Sequence, residues 1–143
     1  MKSGSPKLAF VAADFNHALI DAMTLGAMDE AKTAGAEVVS TTRVPGCYEV
    51  PLVVSRMMAQ GAIDAVVVLG YIERGETQHG AVMGQVVHDA LMRLSLEHDK
   101  PIGLGIIGPG ATPEQAELRK DSYARAAVRA ALAALKATPR AQR

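Results

Sequence analysis

A chain of 143 residues, 49% of them hydrophobic, is long enough to bury a core and short enough to be one domain, residues 1–143. Two Phe, three Tyr and no Trp leave that core to Val, Ile, Leu, Ala and Met, and the single cysteine, Cys47, excludes an internal disulfide and fits a reducing compartment. Fifteen basic residues balance fifteen acidic ones, which argues against nucleic acid or an anionic membrane as partner and favours a closed oligomer.

Residues Met1 to Lys7 carry no apolar signal core, and no apolar run reaches ~18 residues, so the expected location is cytoplasmic. Leu8 to Ala13 then reads as a first strand, followed by a helical pattern from about His17 to Ala34. On that helix Leu19, Met23, Ala27, Ala31 and Ala34 recur at helical spacing, Leu25 lies opposite them, and Gly35 ends the run. Glu37 to Val44, rich in β-branched residues, is a second strand broken by Pro45-Gly46. A shorter helix covers about Pro51 to Gln60, and Ala65 to Leu69 is a third strand. The next helix spans roughly Ala81 to Asp99, with Val82, Val86, Ala90 and Leu94 as its expected apolar face. Pro101 opens a fourth strand, Ile102 to Ile107. Thr112-Pro113-Glu114-Gln115 gives the last helix an N-cap threonine, a proline at its first position and a glutamine three after the cap. Its apolar stripe is Ala124, Val128, Ala131 and Leu135, and Pro139 to Arg143 reads as a frayed polar tail.

Strands and helices alternate, and the strands read as apolar throughout. That pattern predicts an α/β fold, a four-stranded parallel sheet with helices on both faces. Ligands in such sheets bind beyond the carboxyl ends of the strands. The unusual residues all fall there: Asp14-Phe15-Asn16, Gly46-Cys47-Tyr48-Glu49, Arg74 to His79, and Gly108-Pro109-Gly110.

The segment Tyr71-Ile72-Glu73-Arg74-Gly75-Glu76-Thr77-Gln78-His79 is the most telling. It joins a strand to a helix N-terminus, where unpaired N–H groups and the helix dipole favour a phosphate or carboxylate. His79 adds a group that titrates near neutrality and reads either as a general acid–base or as a capping residue. Phe15 can stack on a flat heterocycle or cap the core. Glu49 can support the following helix electrostatically or accept hydrogen bonds from a polyol. Arg119, preceded by Glu114 and Glu117, reads unaided as part of a solvated helix face. Cys47 has no adjacent base, and His17, His88 and His98 share no metal-ligand spacing with it or with His79, so neither a thiol nucleophile nor a metal is expected.

Taken together, these segments resemble the lumazine synthase family over nearly the whole chain. The resemblance rests on Asp14-Phe15-Asn16, Val44-Pro45-Gly46-Cys47-Tyr48-Glu49-Val50-Pro51, Arg74-Gly75-Glu76-Thr77-Gln78-His79 and Glu114 to Arg119. Gly105-Ile106-Ile107-Gly108-Pro109-Gly110 looks most like the archaeal-type branch. The resemblance implies a flavodoxin-like three-layer sandwich and a condensation that uses no cofactor. The substrates would be 5-amino-6-(D-ribitylamino)uracil and 3,4-dihydroxy-2-butanone 4-phosphate, and the product 6,7-dimethyl-8-ribityllumazine, in riboflavin biosynthesis.

By the same resemblance Phe15 stacks on the pyrimidine, and Cys47, Tyr48, Glu49, Tyr71, Ile72 and Glu73 hold the pyrimidine and ribityl chain, with Leu104 where relatives carry a larger apolar residue. Glu76 and Thr77 bind phosphate with Arg119, and His79 carries protons. The family's pentamers and larger shells imply a homo-oligomer with active sites between subunits, and riboflavin synthase as a candidate partner. The chain departs from the family pattern at Glu73, often apolar, and at Gly80, commonly aromatic or acidic. It also lacks the Asn-Lys-Gly segment that follows the arginine in many bacterial members, leaving Arg125 as a candidate second cation. Two other readings compete. Archaeal-type riboflavin synthase, a paralogue of similar fold, is disfavoured by the intact Gly75-Glu76-Thr77-Gln78-His79. A non-catalytic shell-forming or flavin-binding assembly on the same scaffold is kept open by Glu73.

Overall fold

The computed structural model describes residues 4–137, and the tail expected at Pro139 to Arg143 lies outside them. The strands are β1 (Lys7–Ala13), β2 (Glu37–Val44), β3 (Ala65–Glu73) and β4 (Ile102–Ala111). The helices are α1 (His17–Thr33), α2 (Val50–Met58), α3 (His79–His98) and α4 (Pro113–Ala137), and a single 3₁₀ turn, Cys47–Glu49, leads into α2. All pairings are parallel, in the order β2-β1-β3-β4.

Side-chain alternation along the central strands builds two cores. Leu8, Phe10 and Ala12 of β1 with Val67, Leu69 and Tyr71 of β3 pack against α1 and α4. Ala9, Val11 and Ala13 with Val66, Val68 and Ile72 pack against α2 and α3. Both faces being covered explains why β1 and β3 read as continuous apolar runs. Strand β2 departs from that expectation: at the sheet edge its residues alternate between exposed and half-buried up to Val44, so only part of it needs to be apolar.

Two strands run further than expected. β3 continues to Glu73 because β4 follows it to Ala111, pairing Tyr71 with Ile107 and Glu73 with Ala111. One residue on β3, Ile72, thus opposes three on β4, a bulge made possible by the left-handed Gly108 (φ 94°) and Gly110 (φ 91°). A β-carbon on Gly108 would lie 2.2 Å from the Ile72 carbonyl oxygen, so no other residue fits there.

The helix patterns hold except on α3. Leu19, Met23, Ala27 and Ala31 of α1 are buried while Ala34 is its exposed C-cap, and Leu25 is exposed. Ala124, Val128 and Ala131 of α4 are buried, with Leu135 packed against them. The Thr112 cap forms as a reciprocal pair: the Gln115 N–H donates to Thr112 Oγ1 (3.2 Å), and the Thr112 N–H to Gln115 Oε1 (2.9 Å). On α3 the packed face is Gly84, Val87 and Leu91, with Met83 and Leu94 against the same cluster, whereas Val82 and Val86 are each 53% exposed. The expected stripe was therefore offset by one residue. This helix carries two adjacent apolar faces, and periodicity alone does not say which one meets the sheet.

Candidate active site

The sheet order places the C-terminal ends of β1 and β3 side by side, at the point where successive connections leave in opposite directions. A cleft of about 470 Å³ opens there. Phe15 enters it from the end of β1, Pro45, Gly46, Cys47 and Glu49 from the end of β2, and Tyr71, Ile72 and Glu73 from β3. Gly75, Thr77, His79, Gly80 and Met83 close it from the β3–α3 turn and the first turn of α3. Three of the four segments expected on the rim thus converge. The fourth, Gly108-Pro109-Gly110, instead supports the rim from behind, with the Pro109 ring against Gly84 and Gly108 against Ile72.

Small residues set the spacing. A β-carbon at Gly70 would stand 3.0 Å from Cys47 Sγ, so this glycine makes room for the thiol beneath the cleft. At Gly80 it would stand 3.3 Å from both the Glu73 carbonyl oxygen and Ile72 Cγ2. Gly80 therefore lets the first turn of α3 sit close against the end of β3.

Phe15 is 51% exposed, with its ring centroid 6.4 Å from that of Tyr71. An exposed aromatic face beside a cleft can stack on a flat ring. The Tyr71 hydroxyl donates to the Ala111 carbonyl (3.0 Å), tying β3 to β4 at the site. Burial raises the Tyr71 hydroxyl above its ordinary pKa, with Glu73 and Glu114 adding to the effect. Burial, reinforced by Glu49, also pushes the Cys47 thiol up to about 11, so it is neutral near pH 7. His79 meets Tyr48 edge to face at 6.0 Å, and its N–H lies 3.3 Å from Thr77 Oγ1. The other first-turn N–H groups point out at the helix N-terminus, where an anion is favoured. The cleft is lined by the carboxylates Glu49 and Glu73 and, among the described residues, by no arginine or lysine. Among the described residues no set of His, Cys, Asp and Glu is grouped to hold a metal ion.

A family model described as 6,7-dimethyl-8-ribityllumazine synthase matches residues 5–140. The chain belongs to this family. It is a transferase of riboflavin biosynthesis, and its three-layer parallel α/β fold is the one that family uses. Among curated relatives, 6,7-dimethyl-8-ribityllumazine synthase of Metallosphaera sedula is 43% identical over 132 residues, 92% of this chain and 87% of that protein. The proteins of the same name from Aeropyrum pernix and Pyrobaculum neutrophilum are 41% and 40% identical, each over 88% of this chain and 86% and 84% of their own lengths. These archaeal relatives favour the enzyme over a non-catalytic assembly on the same scaffold.

Within the chain, several residues singled out from sequence stand outside the cleft lining. Tyr48, 43% exposed, reaches the site only through its contact with His79. Glu76 is exposed on the turn beside it. Leu104 lies in mid-strand, paired with Val68 and packed on the α2/α3 side. Arg119 is exposed on α4, its Nη1 donating to the Gln115 carbonyl (3.1 Å). Arg125 is engaged elsewhere, donating to Asp29 across the α1–α4 contact (2.7 Å) and to Asp121 one turn back on α4 (3.0 Å). Glu73 lines the cleft without an ion pair to Arg74, whose backbone N–H instead extends the β3–β4 ladder to Ala111 (2.9 Å). Met83 was missed. It lies one helical turn after His79 on the same face, a spacing that would have exposed it had the packed stripe of α3 been placed one residue later.

Proposed function

We propose that the cleft condenses 5-amino-6-(D-ribitylamino)uracil with 3,4-dihydroxy-2-butanone 4-phosphate to give 6,7-dimethyl-8-ribityllumazine, releasing water and inorganic phosphate. The observation that carries this reading is the convergence of Phe15, Glu49, Tyr71 and His79 on one cleft at the N-terminus of α3. In this reading Phe15 stacks on the pyrimidine, and Cys47, Tyr48, Glu49, Tyr71, Ile72 and Glu73 hold the pyrimidine and its ribityl chain. Glu76 and Thr77 present backbone N–H groups to the phosphate.

The chemistry fits such a site. The amine adds to the ketone and loses water to form an imine, phosphate leaves by β-elimination, the resulting enol tautomerises to a ketone, and the ribityl-bearing amine attacks that carbonyl and loses a second water as the ring closes. His79 accepts and returns protons along this path, and the helix N-terminus stabilises the departing phosphate. Holding two substrates together supplies much of the remaining acceleration.

The site we propose is shared between subunits. A cleft lined by Glu49 and Glu73 needs a cation for a phosphorylated substrate, and Arg119 on α4 of a neighbouring copy is the group we assign to it, with Leu104 of that copy beside the pyrimidine. The exposed Val82 and Val86 on α3, with Leu25, Leu52 and Met92, supply apolar surface for such contacts. The assembly would be a pentamer, or a larger shell of pentamers, in the cytoplasm, handing its product to riboflavin synthase. The test is formation of the fluorescent lumazine from the two substrates, read against an enzyme-free blank. A rate above the blank supports the synthase; folded protein with no excess rate overturns it. Light scattering tests the shared site, which a monomeric mass at micromolar concentration would refute.

A further inference from the structure

Phe15 sits on the tight turn between β1 and α1. Asn16 adopts a left-handed conformation (φ 65°, ψ 67°) and its side chain makes no capping hydrogen bond to α1. What brackets the turn is Arg43, at the end of β2. Its Nη1 donates to Asp14 Oδ1 (2.5 Å), the residue before Phe15, and its Nη2 to Asp21 Oδ1 (2.6 Å), one turn into α1. His17 bridges the same two carboxylates, with Nδ1 3.0 Å from Asp14 and Nε2 3.2 Å from Asp21. The backbone completes the frame, with the Asp14 N–H donating to the Val44 carbonyl (2.7 Å). None of these four side chains lines the cleft.

We propose that Arg43 is a positioning residue for the pyrimidine substrate, acting through Asp14 and Asp21 to hold the Phe15 ring over the cleft. The inference rests on Phe15 being the pyrimidine platform, as argued above. Partly exposed ion pairs contribute little to stability, so their arrangement here is informative for its geometry. A planar guanidinium donates from separate nitrogens to residues on both sides of Phe15, which a single ammonium cannot reproduce. The network also explains why a charged quartet stands at a rim that otherwise needs only a loop.

The experiment is steady-state kinetics in each substrate separately for Phe15→Ala, Arg43→Gln, Arg43→Lys and the Phe15→Ala/Arg43→Gln double variant, in the assembled protein. Loss of an aromatic stack raises KM for the ribitylamino-uracil about tenfold in Phe15→Ala. Arg43→Gln should raise the same KM by about threefold to tenfold, leave KM for the phosphate substrate within about twofold, and add little in the Phe15→Ala background. Arg43→Lys should recover part of the loss. An Arg43→Gln effect of equal size with or without Phe15, or one falling equally on both substrates, overturns the positioning role. So does a normal uracil KM in Arg43→Gln when Phe15→Ala is impaired. An unchanged KM in Phe15→Ala removes the platform itself. If Arg43→Gln does not fold, Asp14→Asn gives the same comparison, since it removes the carboxylate nearest Phe15.

Discussion

The rings of Tyr48 and His79 meet edge to face at 6.0 Å, joining the turn after β2 to the first turn of α3 across the mouth of the cleft. The contact leaves the imidazole exposed and held from one side, an arrangement that suits the proton carrier proposed for it. Replacing His79 by Ala should lower kcat by about 10²-fold while light scattering shows an unchanged assembly. Tyr48→Phe, which keeps the ring, should fall far less than Tyr48→Ala. Equal losses in the two tyrosine variants would show that the hydroxyl, not the ring contact, matters.

Cys47 should behave as an inert thiol. It is buried, and burial with the neighbouring Glu49 pushes its pKa up to about 11. Alkylation by iodoacetamide near pH 8 should be far slower in folded protein than in denaturant, as read by mass spectrometry. The linkage has a definite sign. With the folded pKa above the ordinary thiol value of 9.0, the protonated form is favoured by the fold, so this stabilisation is complete below about pH 9 and lost as pH rises through about 11. Cys47→Ala should abolish that part of the alkaline loss in melting temperature.

The His17 cluster should titrate the opposite way at its two ends. The hydrogen bond with Asp14, then the charges of Asp14 and Asp21, raise the His17 pKa above 6.5. Hydrogen bonds from His17 and Arg43 lower that of Asp14 below 3.8. The His17 contribution is present below about pH 6.5 and fades as pH rises through the raised value, whereas the Asp14 contribution is present above about pH 4 and fades on acidification. His17→Gln should therefore lower the melting temperature near pH 5.5 and leave it unchanged near pH 8.5. Histidine NMR titration should place His17 above the ordinary range; a value at or below it would contradict the geometry.

Gly103 should tolerate no side chain. A β-carbon there would lie 2.1 Å from the Ala127 carbonyl oxygen, backbone that moves only with the whole of α4. Gly103→Ala should destabilise by about 3 kcal/mol or more in chemical denaturation, the upper range of overpacking costs. Gly75→Ala, where a β-carbon meets nothing within 4 Å, is the control and should change stability by less than about 0.5 kcal/mol.

Much of this molecule was legible in one dimension. The order of strands and helices, the parallel sheet and the reciprocal Thr112–Gln115 cap follow from local rules: apolar runs for strands covered on both faces, caps and breakers at helix ends. The residues of the candidate site were legible for a related reason. Most of them occupy strand ends or the short segments that follow, and in a parallel sheet all such positions lie on one rim.

What only the tertiary structure decided was set by neighbours distant in sequence. Which of two apolar faces on α3 packs depends on Met83, Val87 and Leu91 meeting the sheet while Val82 and Val86 do not. The length of β3 and β4 depends on a bulge in which Gly108 is dictated by the Ile72 carbonyl. Gly80 is tied to the end of β3, seven residues back, and Arg43 reaches Asp14, 29 residues back. Arg125, a plausible phosphate ligand from its position near Arg119, is held instead by Asp29, 96 residues away. Periodicity reports the environment of a residue along its own element; which partner supplies that environment is a matter of packing, and packing is settled only when the whole chain closes on itself.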